Sequence, residues 1–491
     1  MDLERLIAAL DTVDVRGRAP RSGRQSGPIE VLDLAYDAQA VTDGSLFFCV
    51  PGMRADGHDF APAALERGAV ALVVERALEL EAPQIVVESA REAMAVAADA
   101  FFGEPTKELT VAGVTGTNGK TTTCFIVYEI LVAAGRRPGL LGTVESRIGG
   151  EARKMVRTTP EAIDLQRLFR EMLGGGDLSC VMEASSHAIE LHRLDRVRFS
   201  ALAFTNLSQD HLDFHETMER YFTAKRRIFL EGDETPAAIN IDDPWGRRLA
   251  ADLRALGQEQ VLTFGRSDDA DLRADEIELG RDGTRIRIGE LELRSPLRGA
   301  FNAENLLTAV ALARSLGVAD AAIAAGVEAL AGVPGRFETV DRGQEFAVVV
   351  DYAHTPDALE RVLRAARELT QERLICVFGC GGDRDREKRP LMGGIATALS
   401  DLAIVTSDNP RSEEPQAIVD QILEGIGKSP VEVELDRRAA IRQALAQARP
   451  GDVVVIAGKG HEQGQEIAGQ LLPFDDRQVA GDLLVELGTK R

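Results

Sequence analysis

The segment "TGTNGKTT", residues 115–122, has the composition of a turn that binds phosphate groups. It lies between an apolar run and a helical pattern, where glycines let backbone N–H groups surround phosphate oxygens. Lys120 would then reach the β- and γ-phosphates of a nucleotide, and the Thr121 hydroxyl would bind Mg²⁺. Val114 stands where the strict consensus has its first glycine, so the glycines inside the segment must provide the bend. An ordinary glycine-containing loop is the alternative, but the flanking pattern favours phosphate binding.

Acidic, imidazole and amine side chains follow the next predicted strands. Glu183 ends a strand and could supply an oxygen ligand to the same metal ion. His211 and His215 have the spacing of a metal-binding pair on a helix, but there is no H-E-x-x-H motif, so a zinc protease is not indicated. Taken alone, His215 is more typical of a structural histidine. By its local pattern, Lys225 would be an ordinary exposed lysine.

Two asparagines and an arginine come later in the chain. Asn302 and Asn305 stand at the start of an apolar helix, where asparagines are usually caps. Arg336 falls at a predicted domain boundary, where an arginine could meet a γ-phosphate as two domains close. A salt bridge between domains is the alternative.

In the last third of the chain, apolar runs typical of buried strands alternate with helical patterns. The run at 346–354 is followed by a helix with Thr355 as its N-cap and Pro356 at its first position. The alternation continues through 452–458 and predicts a mostly parallel sheet covered by helices. In such sheets, ligands bind outside the carboxyl ends of the strands.

The unusual polar residues of this region fall at those strand ends. They are Asp351 with His354, "GCGGDRDREKRP" at 379–390, "SDNPR" at 407–411 and "GKGHE" at 458–462. Four such loops at one edge of a sheet are better explained by one shared site than by four separate accidents.

The middle third repeats the same arrangement, with polar segments after four apolar runs, and predicts a second α/β sheet. The first hundred residues form a smaller mixed unit. We therefore predict an α/β fold with three domains, at 1–105, 106–333 and 334–491.

The composition is that of a globular protein. A chain of 491 residues is too long for one hydrophobic core, so we expect several. A formal charge of −22 argues against nucleic acid as a partner. No apolar run is long enough to span a bilayer, and charged residues interrupt the N-terminus, so neither membrane association nor a signal peptide is expected. Five irregularly spaced cysteines suit a reducing compartment, with Cys376 and Cys380 as buried structural residues. We expect a cytoplasmic monomer.

Taken together, these motifs resemble the Mur ligase family, which comprises ATP-dependent amide-forming enzymes of peptidoglycan precursor synthesis. The similar segments run in family order from about residue 110 to 465, and include "GTNGKTT", "EASSH", "TNLSQDHLDFH", "FNAEN", "DYAHTPDAL" and "SDNPRSEEP". The N-terminal "LFFCVPGMRADGHDF" is similar to the family's uridine-binding domain. The resemblance implies a small mixed N-terminal domain that binds the UDP-sugar, a central P-loop ATPase-like domain and a Rossmann-like C-terminal domain that binds an amino acid.

Within the family, the branch that adds the third amino acid of the peptide is the most similar. This implies ATP, Mg²⁺, UDP-N-acetylmuramoyl-L-Ala-D-Glu and meso-diaminopimelate as the small molecules bound. Arginine at position 411 is typical of members that use diaminopimelate, whose second carboxylate fits a guanidinium. Asn409 and Arg411 are the implied selectivity residues. Asp408, Arg389, Gly458 and Glu462 would complete the pocket, with Glu462 accepting a hydrogen bond from the distal ammonium group.

The resemblance also assigns roles to the remaining candidates. Lys225 would be carbamylated and would bind a second Mg²⁺ beside His211. The implied catalytic residues are Lys120, Glu183, His211 and Lys225, and the implied metal ligands are Thr121, Glu183, His211 and Lys225 as its carbamate. The implied ATP contacts are Thr115, Gly116, Thr117, Asn118, Gly119, Lys120, Thr121, Thr122, Asn302, Asn305, Arg336 and Asp351. The implied contacts to the UDP-sugar-peptide are Thr158, Thr159, Ser185 and Arg193.

Two segments depart from the family pattern. Asp37-Ala38-Gln39 stands where the family often has D-S-R, and Leu191 replaces a usual glutamine, so the resemblance does not assign the contacts to the nucleotide sugar at these positions. Four alternatives remain open: the same ligase with L-lysine, a folylpolyglutamate synthetase, a catalytically silent nucleotide-binding relative, and a metal-dependent hydrolase. No residue stands out as the base that deprotonates the incoming amine.

Overall fold

A computed structural model describes residues 1–17, 28–52, 55–155, 157–231, 234–280, 282–427 and 430–488. Contacts between residues divide the chain into two compact units. The first unit comprises residues 1–113 and 136–200, and the second comprises residues 114–135 and 201–491. Met53 and Arg54, inside the predicted uridine-binding motif, lie outside the described residues. The domain boundaries at 105 and 333 stay a prediction.

Helices and strands alternate through most of the described chain. The helices are α1 (Leu3–Ala9), α2 (Ala61–Glu66), α3 (Ala90–Phe101), α4 (Lys120–Ala133), α5 (Ala162–Gly174), α6 (Ser186–Glu190), α7 (Leu212–His215), α8 (Met218–Leu230), α9 (Pro244–Ala255), α10 (Ala300–Ser315), α11 (Asp320–Ala329), α12 (Pro356–Leu369), α13 (Lys388–Leu399), α14 (Pro415–Leu423), α15 (Arg437–Gln447) and α16 (Asp476–Gly488). The strands of the first 200 residues are β1 (Thr12–Arg16), β2 (Asp33–Ala35), β3 (Ser45–Phe48), β4 (Ala69–Val74), β5 (Gln84–Val87), β6 (Thr110–Thr115), β7 (Pro138–Leu141), β8 (Ser146–Ile148), β9 (Glu151–Arg153) and β10 (Ser179–Glu183). The later strands are β11 (Phe199–Phe204), β12 (Ala237–Asn240), β13 (Val261–Gly265), β14 (Leu272–Arg273), β15 (Glu276–Gly280), β16 (Gly283–Ile288), β17 (Leu291–Ser295), β18 (Glu338–Thr339), β19 (Ala347–Asp351), β20 (Leu374–Phe378), β21 (Leu402–Val405), β22 (Val431–Val433), β23 (Val453–Ala457), β24 (Gly464–Ile467) and β25 (Gln470–Pro473).

The first unit contains a small sheet in the order β1-β5-β4-β3-β2, in which only β1 runs antiparallel to its neighbour. Apolar residues of α1, α3 and the central strands form its core, and Ala162 and Ile163 at the start of α5 join that core. In the same unit, β10 pairs in parallel with β7, and β8 and β9 extend β7 as an antiparallel meander. Helix α5 thus fixes the N-terminal sheet to the segment that ends in β10.

The first part of the second unit contains the parallel strands β11, β12, β13 and β14. Helix α4 packs against α10 and α11. Its residues are buried on most sides, as expected for a helix whose sequence is apolar all round. The antiparallel strands β15, β16 and β17 alternate between buried and exposed residues, because only one face of that small sheet is covered.

The last part of the second unit is a six-stranded sheet in the order β18-β19-β23-β20-β21-β22. All of its pairs are parallel except the one between β18 and β19, which confirms the predicted mostly parallel sheet. Thr355 caps α12 by accepting from the Ala358 N–H, and Pro356 is the first helical residue, as predicted. Helix α13 begins at Lys388. The sheet order brings the loops after β19, β20, β21 and β23 to one edge.

The five cysteines are free thiols in buried positions, which confirms that Cys376 and Cys380 are interior residues. Cys380 Sγ lies 3.6 Å from Met392 Sδ inside the C-terminal core. Within the described part of the chain, no helix combines the length and the apolar character that crossing a membrane requires.

A fully buried ion pair joins α15 to α16. The Arg437 guanidinium donates from Nε and Nη2 to the two carboxylate oxygens of Asp476, over 2.8 and 2.7 Å. It also donates to the carbonyl of Ser407, which follows β21, and to that of Ala457, the last residue of β23. Both side chains are completely buried, so neither charge can be left without its partner.

Replacement of Asp476 by alanine should therefore destabilise the C-terminal sheet. We expect Asp476→Ala to lower the free energy of unfolding by about 3 kcal/mol or more, because it leaves a buried guanidinium uncompensated. Arg438→Ala is the matched control. It removes a half-exposed pair with Glu486, which should cost less than about 1 kcal/mol. Urea unfolding followed by circular dichroism measures both, and equal losses would contradict the assignment.

Candidate active site

The loop between β6 and α4 adopts a backbone that only glycine tolerates at two positions. Gly116 and Gly119 have φ angles of +144° and +86°. A Cβ at Gly116 would overlap the Thr205 hydroxyl, and a Cβ at Gly119 would overlap the Asn305 side-chain oxygen. The glycines inside the predicted turn thus provide the bend, and Gly119 is the N-cap residue of α4.

Residues that follow β11 hold this loop in place. The N–H groups of Thr117 and Asn118 donate to the backbone and side-chain oxygens of Asn206, each over 2.9 Å. The Thr205 hydroxyl donates to the Asn118 carbonyl over 2.6 Å. The Thr117 hydroxyl lies 3.2 Å from the hydroxyl of Tyr221 on α8. These hydrogen bonds from residues distant in sequence hold the loop in one conformation, a property that the sequence did not mark.

Two lysines donate to one carbonyl of this loop. Lys120 Nζ donates to the carbonyls of Gly116 and Thr117, over 3.0 and 2.8 Å. Lys225 Nζ donates to the same Gly116 oxygen over 2.8 Å and lies 4.7 Å from the centre of the Tyr221 ring. Lys225 is buried, which corrects the expectation of an exposed lysine from its local pattern. Burial and the charge of Lys120 lower the pKa of Lys225 well below its usual value.

The two histidines near this loop have different surroundings. His215 is buried, and its ring lies 5.1 Å from that of Tyr221. These surroundings fit the interpretation of His215 as a structural histidine. His211 precedes the short helix α7 in a left-handed conformation, with Nε2 3.3 Å from the Asp210 carboxylate. Burial raises the pKa of Asp210, but His211 and other positive groups, among them Lys120, outweigh it and lower that pKa to about 2.

The segment that connects to β18 reaches the same loop. Arg336 Nη2 donates to the Thr121 hydroxyl over 3.0 Å, and its guanidinium lies 4.5 Å from the Tyr352 ring centre. Its Nε is buried without a hydrogen-bond partner among the described residues. Asp351 is buried, which raises its pKa, and it accepts from the Phe337 N–H over 2.7 Å. Arg336 thus contacts the loop, whereas Asp351 braces the turn behind it.

The two asparagines of α10 lie beside the loop. Gly299 is the N-cap residue of α10, so the expectation that Asn302 or Asn305 caps this helix is wrong. Asn302 Nδ2 donates to the Arg298 carbonyl, and Asn305 donates to the Asn302 side-chain oxygen over 3.0 Å. Both residues are buried, and the Asn305 oxygen faces Gly119.

An aspartate of the C-terminal sheet region also binds the loop. Asp357, in the first turn of α12, accepts from Asn118 Nδ2 over 2.7 Å and from the Ser208 hydroxyl over 3.2 Å. Arg361 pairs with Asp357 and with Glu304 of α10. In the sequence, Asp357 resembles any acidic residue in a first helical turn. Only its position after a strand at the sheet edge could have indicated that it contacts the loop.

The residues predicted to bind the UDP-sugar-peptide lie together in the first unit. They are Thr158, Thr159, Ser185 and Arg193. The Thr159 hydroxyl donates to the Glu183 carbonyl over 2.7 Å, and Arg193 donates to the Thr159 carbonyl over 3.2 Å. The Ser185 N–H donates to the Thr159 hydroxyl over 3.3 Å, and the hydroxyls of Thr158 and Thr143 lie 3.0 Å apart. The Glu183 carboxylate accepts from a backbone N–H of the same unit.

The loops after β21 and β23 form a second polar cluster in the second unit. Asn409 Nδ2 and Lys459 Nζ each donate to the Glu462 carboxylate over 2.9 Å, and Lys459 also donates to the Asn409 oxygen. Lys459 is fully buried here, and the sequence analysis did not identify it as part of this cluster. Arg411 has a left-handed φ of +54° and donates to the Gly382 carbonyl over 2.6 Å.

Two other predicted pocket residues are packed more tightly. Arg389 is fully buried and donates to both oxygens of Glu413, over 3.0 and 2.8 Å, and to Gln421 over 2.8 Å. These bonds to Arg389 lower the pKa of Glu413 to about 2. Gly458 has a φ of +118°, and a Cβ there would overlap the Asp408 carboxylate. Direct contact of Arg389 with a ligand stays a prediction.

Family models match three consecutive segments of the chain. They are the Mur ligase family catalytic domain at 32–106, the Mur ligase middle domain at 114–313 and the Mur ligase glutamate ligase domain at 335–460. With the parallel sheets described above, these matches define a three-domain α/β ligase architecture. The chain belongs to the Mur ligase family. Both the predicted resemblance and the predicted fold class are thereby confirmed.

The relatives are similar over nearly the whole chain. A Bacillus licheniformis protein named UDP-N-acetylmuramoyl-L-alanyl-D-glutamate--2,6-diaminopimelate ligase is 44% identical, over 99% of this chain and 100% of its own length. A Gloeobacter violaceus protein of the same name is 48% identical, over 97% and 99%. A solved structure of a protein with this name is 32% identical, covers 99% of both chains and has a TM-score of 0.68.

Substitution of Gly119 tests the glycine requirement of the loop. Gly119→Ala places a Cβ on the Asn305 oxygen at a positive φ, so we expect affinity for ADP to fall about tenfold or more, ~1.4 kcal/mol. Gly135→Ala, just after α4, is the control, because it has a φ of +71° but open space around its Cβ position. Calorimetric titration with ADP measures both, and unchanged affinity in Gly119→Ala would refute the role of this loop.

Proposed function

We propose that this chain is an ATP-dependent ligase that joins meso-2,6-diaminopimelate to the D-glutamate γ-carboxylate of UDP-N-acetylmuramoyl-L-Ala-D-Glu. The relatives that bear this name are similar from end to end, which supports the substrates. The observation that carries the proposal is the cluster of Asn409, Lys459 and Glu462 at one edge of the C-terminal sheet. Arg411 follows Asn409 closely in the chain and pairs with Glu466, whose N–H donates to Asn409, so both charge signs are present there.

The reaction has to convert a carboxylate into an acylating agent. A carboxylate is a poor one, because oxide is a poor leaving group and the negative charge repels a nucleophile. Transfer of the γ-phosphoryl group of ATP to the D-glutamate γ-carboxylate forms an acyl phosphate and releases ADP. The amine at the L-centre of diaminopimelate then attacks the acyl carbon, and phosphate leaves from the tetrahedral intermediate.

The β6–α4 loop would hold the phosphate groups of ATP. Its N–H groups lie at the N-terminus of α4, where backbone dipoles favour anions. Lys120, now bonded to loop carbonyls, would turn towards the β- and γ-phosphates, and Arg336 is already beside Thr121. Together these cations would offset the charge that gathers as the phosphoryl group moves. Ribose contact by Asp351 and adenosine contacts by Asn302 and Asn305 belong to the same proposal.

The residues around the loop suit Mg²⁺ only in combination with a nucleotide. Within the described ranges, no three His, Cys, Asp or Glu side chains gather in a way that could hold a metal ion. Mg²⁺ usually takes one or two protein groups together with phosphate oxygens, and Thr121, His211 and a carbamate on Lys225 could supply them. Bound there, Mg²⁺ would neutralise phosphate charge. Glu183 as a further ligand stays a prediction.

Carbamylation of Lys225 has a physical basis in its surroundings. The neutral amine, and not the ammonium ion, attacks carbon dioxide. Burial and the nearby Lys120 lower the pKa of Lys225, which favours the neutral form. The product is an anion that Lys120 would stabilise, and it converts a cation into a carboxylate-like ligand.

The C-terminal pocket would select the amino acid. Diaminopimelate ends in both an ammonium group and a carboxylate, and Glu462 and Arg411 would pair with these two groups. L-Lysine lacks the distal carboxylate, so it would leave the Arg411 guanidinium without that partner. Arg336 binds Thr121 at the start of α4 and Asp357 binds Asn118 in the loop before it, which supports delivery of the amine by the C-terminal pocket.

We also propose that the enzyme acts in the cytoplasm as a monomer on small-molecule substrates. Its formal charge of −22 supports the absence of a nucleic-acid partner.

Phosphate release with a panel of amino acids tests this function. With ATP, Mg²⁺ and UDP-N-acetylmuramoyl-L-Ala-D-Glu, we expect phosphate release and a product of tripeptide mass with meso-diaminopimelate only. L-Lysine and L-glutamate serve as comparisons, and Lys120→Ala serves as the inactive control. Turnover with L-lysine would support the proposed ligase activity but refute the proposed selectivity for diaminopimelate. No turnover with any amino acid would favour a catalytically silent relative.

Arg411→Lys refines the same assay, because lysine cannot form the two parallel hydrogen bonds of a guanidinium. The KM for diaminopimelate should rise about tenfold or more, while the KM for ATP stays unchanged. Arg442→Lys, which changes an exposed pair with Glu486, is the matched control. Equal effects on both KM values would contradict a role in selectivity.

A further inference from the structure

Three arginines of the first unit surround one buried glutamate. Arg91 on α3, Arg157 before α5 and Arg193 after α6 all point to the Glu161 carboxylate. Their guanidinium nitrogens lie 3.5, 2.7 and 2.9 Å from its oxygens, respectively. The Glu161 side chain is only 6% exposed. Three cations thus share a single anion, an arrangement that a structural ion pair does not need.

The cluster carries more positive charge than its own carboxylate balances. Three guanidinium groups and one carboxylate leave two positive charges. The Asp164 carboxylate accepts from the Tyr36 hydroxyl over 2.6 Å and, among the described residues, forms no ion pair with these three arginines. Burial, together with Arg157 and Arg91, lowers the pKa of Arg193 against the opposing effect of Glu161. The three guanidinium groups therefore repel one another, and a bound anion would reduce that repulsion.

The cluster also retains hydrogen-bond donors. Each guanidinium has five N–H groups, and Arg193 Nε is buried with no acceptor in the part of the chain that the structure describes. Arg157 is about half exposed, which gives access from solvent. Arg193 also donates to the carbonyl of Thr159, one of the residues predicted to bind the UDP-sugar-peptide. The unused donors thus lie beside the expected substrate.

We propose that Arg91 and Arg157 join Arg193 in a binding site for the diphosphate of the nucleotide-sugar substrate, with Glu161 as their counter-charge when no ligand is bound. This inference rests on the proposed function. A diphosphate that is esterified at both ends carries two negative charges, which match the two surplus positive charges, whereas a single carboxylate would balance only one. Guanidinium groups bind phosphate oxygens in pairs of parallel hydrogen bonds.

The site also accounts for a departure from the family pattern. Leu191, two residues before Arg193, stands where a hydrogen-bonding glutamine is usual, and a leucine side chain cannot bind an anion. Arg91 and Arg157 supply donors from other elements of the same unit. The chain would in this way hold the anionic part of its substrate without the glutamine.

Calorimetric titration of the full-length protein with two ligands tests the site. One ligand is UDP-N-acetylmuramoyl-L-Ala-D-Glu, and the other is N-acetylmuramoyl-L-Ala-D-Glu, which lacks the diphosphate. For Arg91→Gln and Arg157→Gln, affinity for the first ligand should fall about tenfold, with no change for the second. Arg153→Gln, an exposed arginine paired with Glu171, is the control and should change neither affinity.

Glu161→Gln separates a binding site from a structural cluster. Without its counter-charge the empty cluster repels itself, so the melting temperature of the free protein should fall. Affinity for UDP-N-acetylmuramoyl-L-Ala-D-Glu should rise at the same time, because the anion no longer competes with Glu161. A purely structural role predicts lower stability with equal or weaker binding, and that result would overturn the proposal.

The remaining outcomes are also distinct. Equal loss of affinity for both ligands in Arg157→Gln would assign the cluster to a peptide carboxylate and refute the diphosphate site. Unchanged affinity for both ligands in both arginine variants would refute any anion site here. If the wild-type chain binds the nucleotide sugar through these arginines but turns over no amino acid, only the proposed reaction fails. If it binds neither ligand, the reaction and the site fail together.

Discussion

Two lysine side chains share one backbone carbonyl, and the chemistry of the second unit depends on that constraint. Lys120 and Lys225 both donate to the Gly116 oxygen, at 3.0 and 2.8 Å. Burial, and after it the nearby charge of Lys120, lowers the pKa of Lys225 well below its usual value. The lowered pKa favours the neutral amine of Lys225, which lies beside Lys120.

The rest of the second unit holds this arrangement in place. Asn206 and Thr205 fix the loop from β11, and Asn305 fits against Gly119 from α10. Arg336 and Asp357 bind it from the C-terminal sheet region. The Arg437–Asp476 pair then holds the ends of β21 and β23, which carry the proposed amino-acid pocket. Buried polar groups that are mutually satisfied in this way specify one geometry.

The sequence was most informative where local pattern and sheet topology agree. Short unbroken apolar runs rich in β-branched residues, such as the one in β23, favour buried strands, and the helices between them favour parallel order. That order alone brings Asp351, Arg411 and Glu462 to the same edge. The glycine-containing turn was equally readable, because Gly116 and Gly119 stand at the two positions where the bend is needed.

What could not be predicted depends on contacts between residues distant in sequence. Asn302 and Asn305 resemble caps, but Gly299 caps the helix and the asparagines pack beside the loop. Lys225 resembles a surface lysine, because only the folded chain shows that α8 turns it inward. The three arginines around Glu161 come from three separate parts of the chain, so no local spacing in the sequence predicts such a cluster.

The ionisation of Lys225 is the central claim, and ¹³C NMR tests it most directly. The protein would be equilibrated with ¹³C-labelled bicarbonate near neutral pH. Lys225→Arg is the negative control. Lys107→Arg, which replaces an exposed lysine, is the positive control. We predict a carbamate carbon signal in the wild-type chain and in Lys107→Arg that is absent from Lys225→Arg. A wild-type spectrum without that signal, in which Lys225 titrates near the usual lysine pKa of about 10.4, would contradict the account.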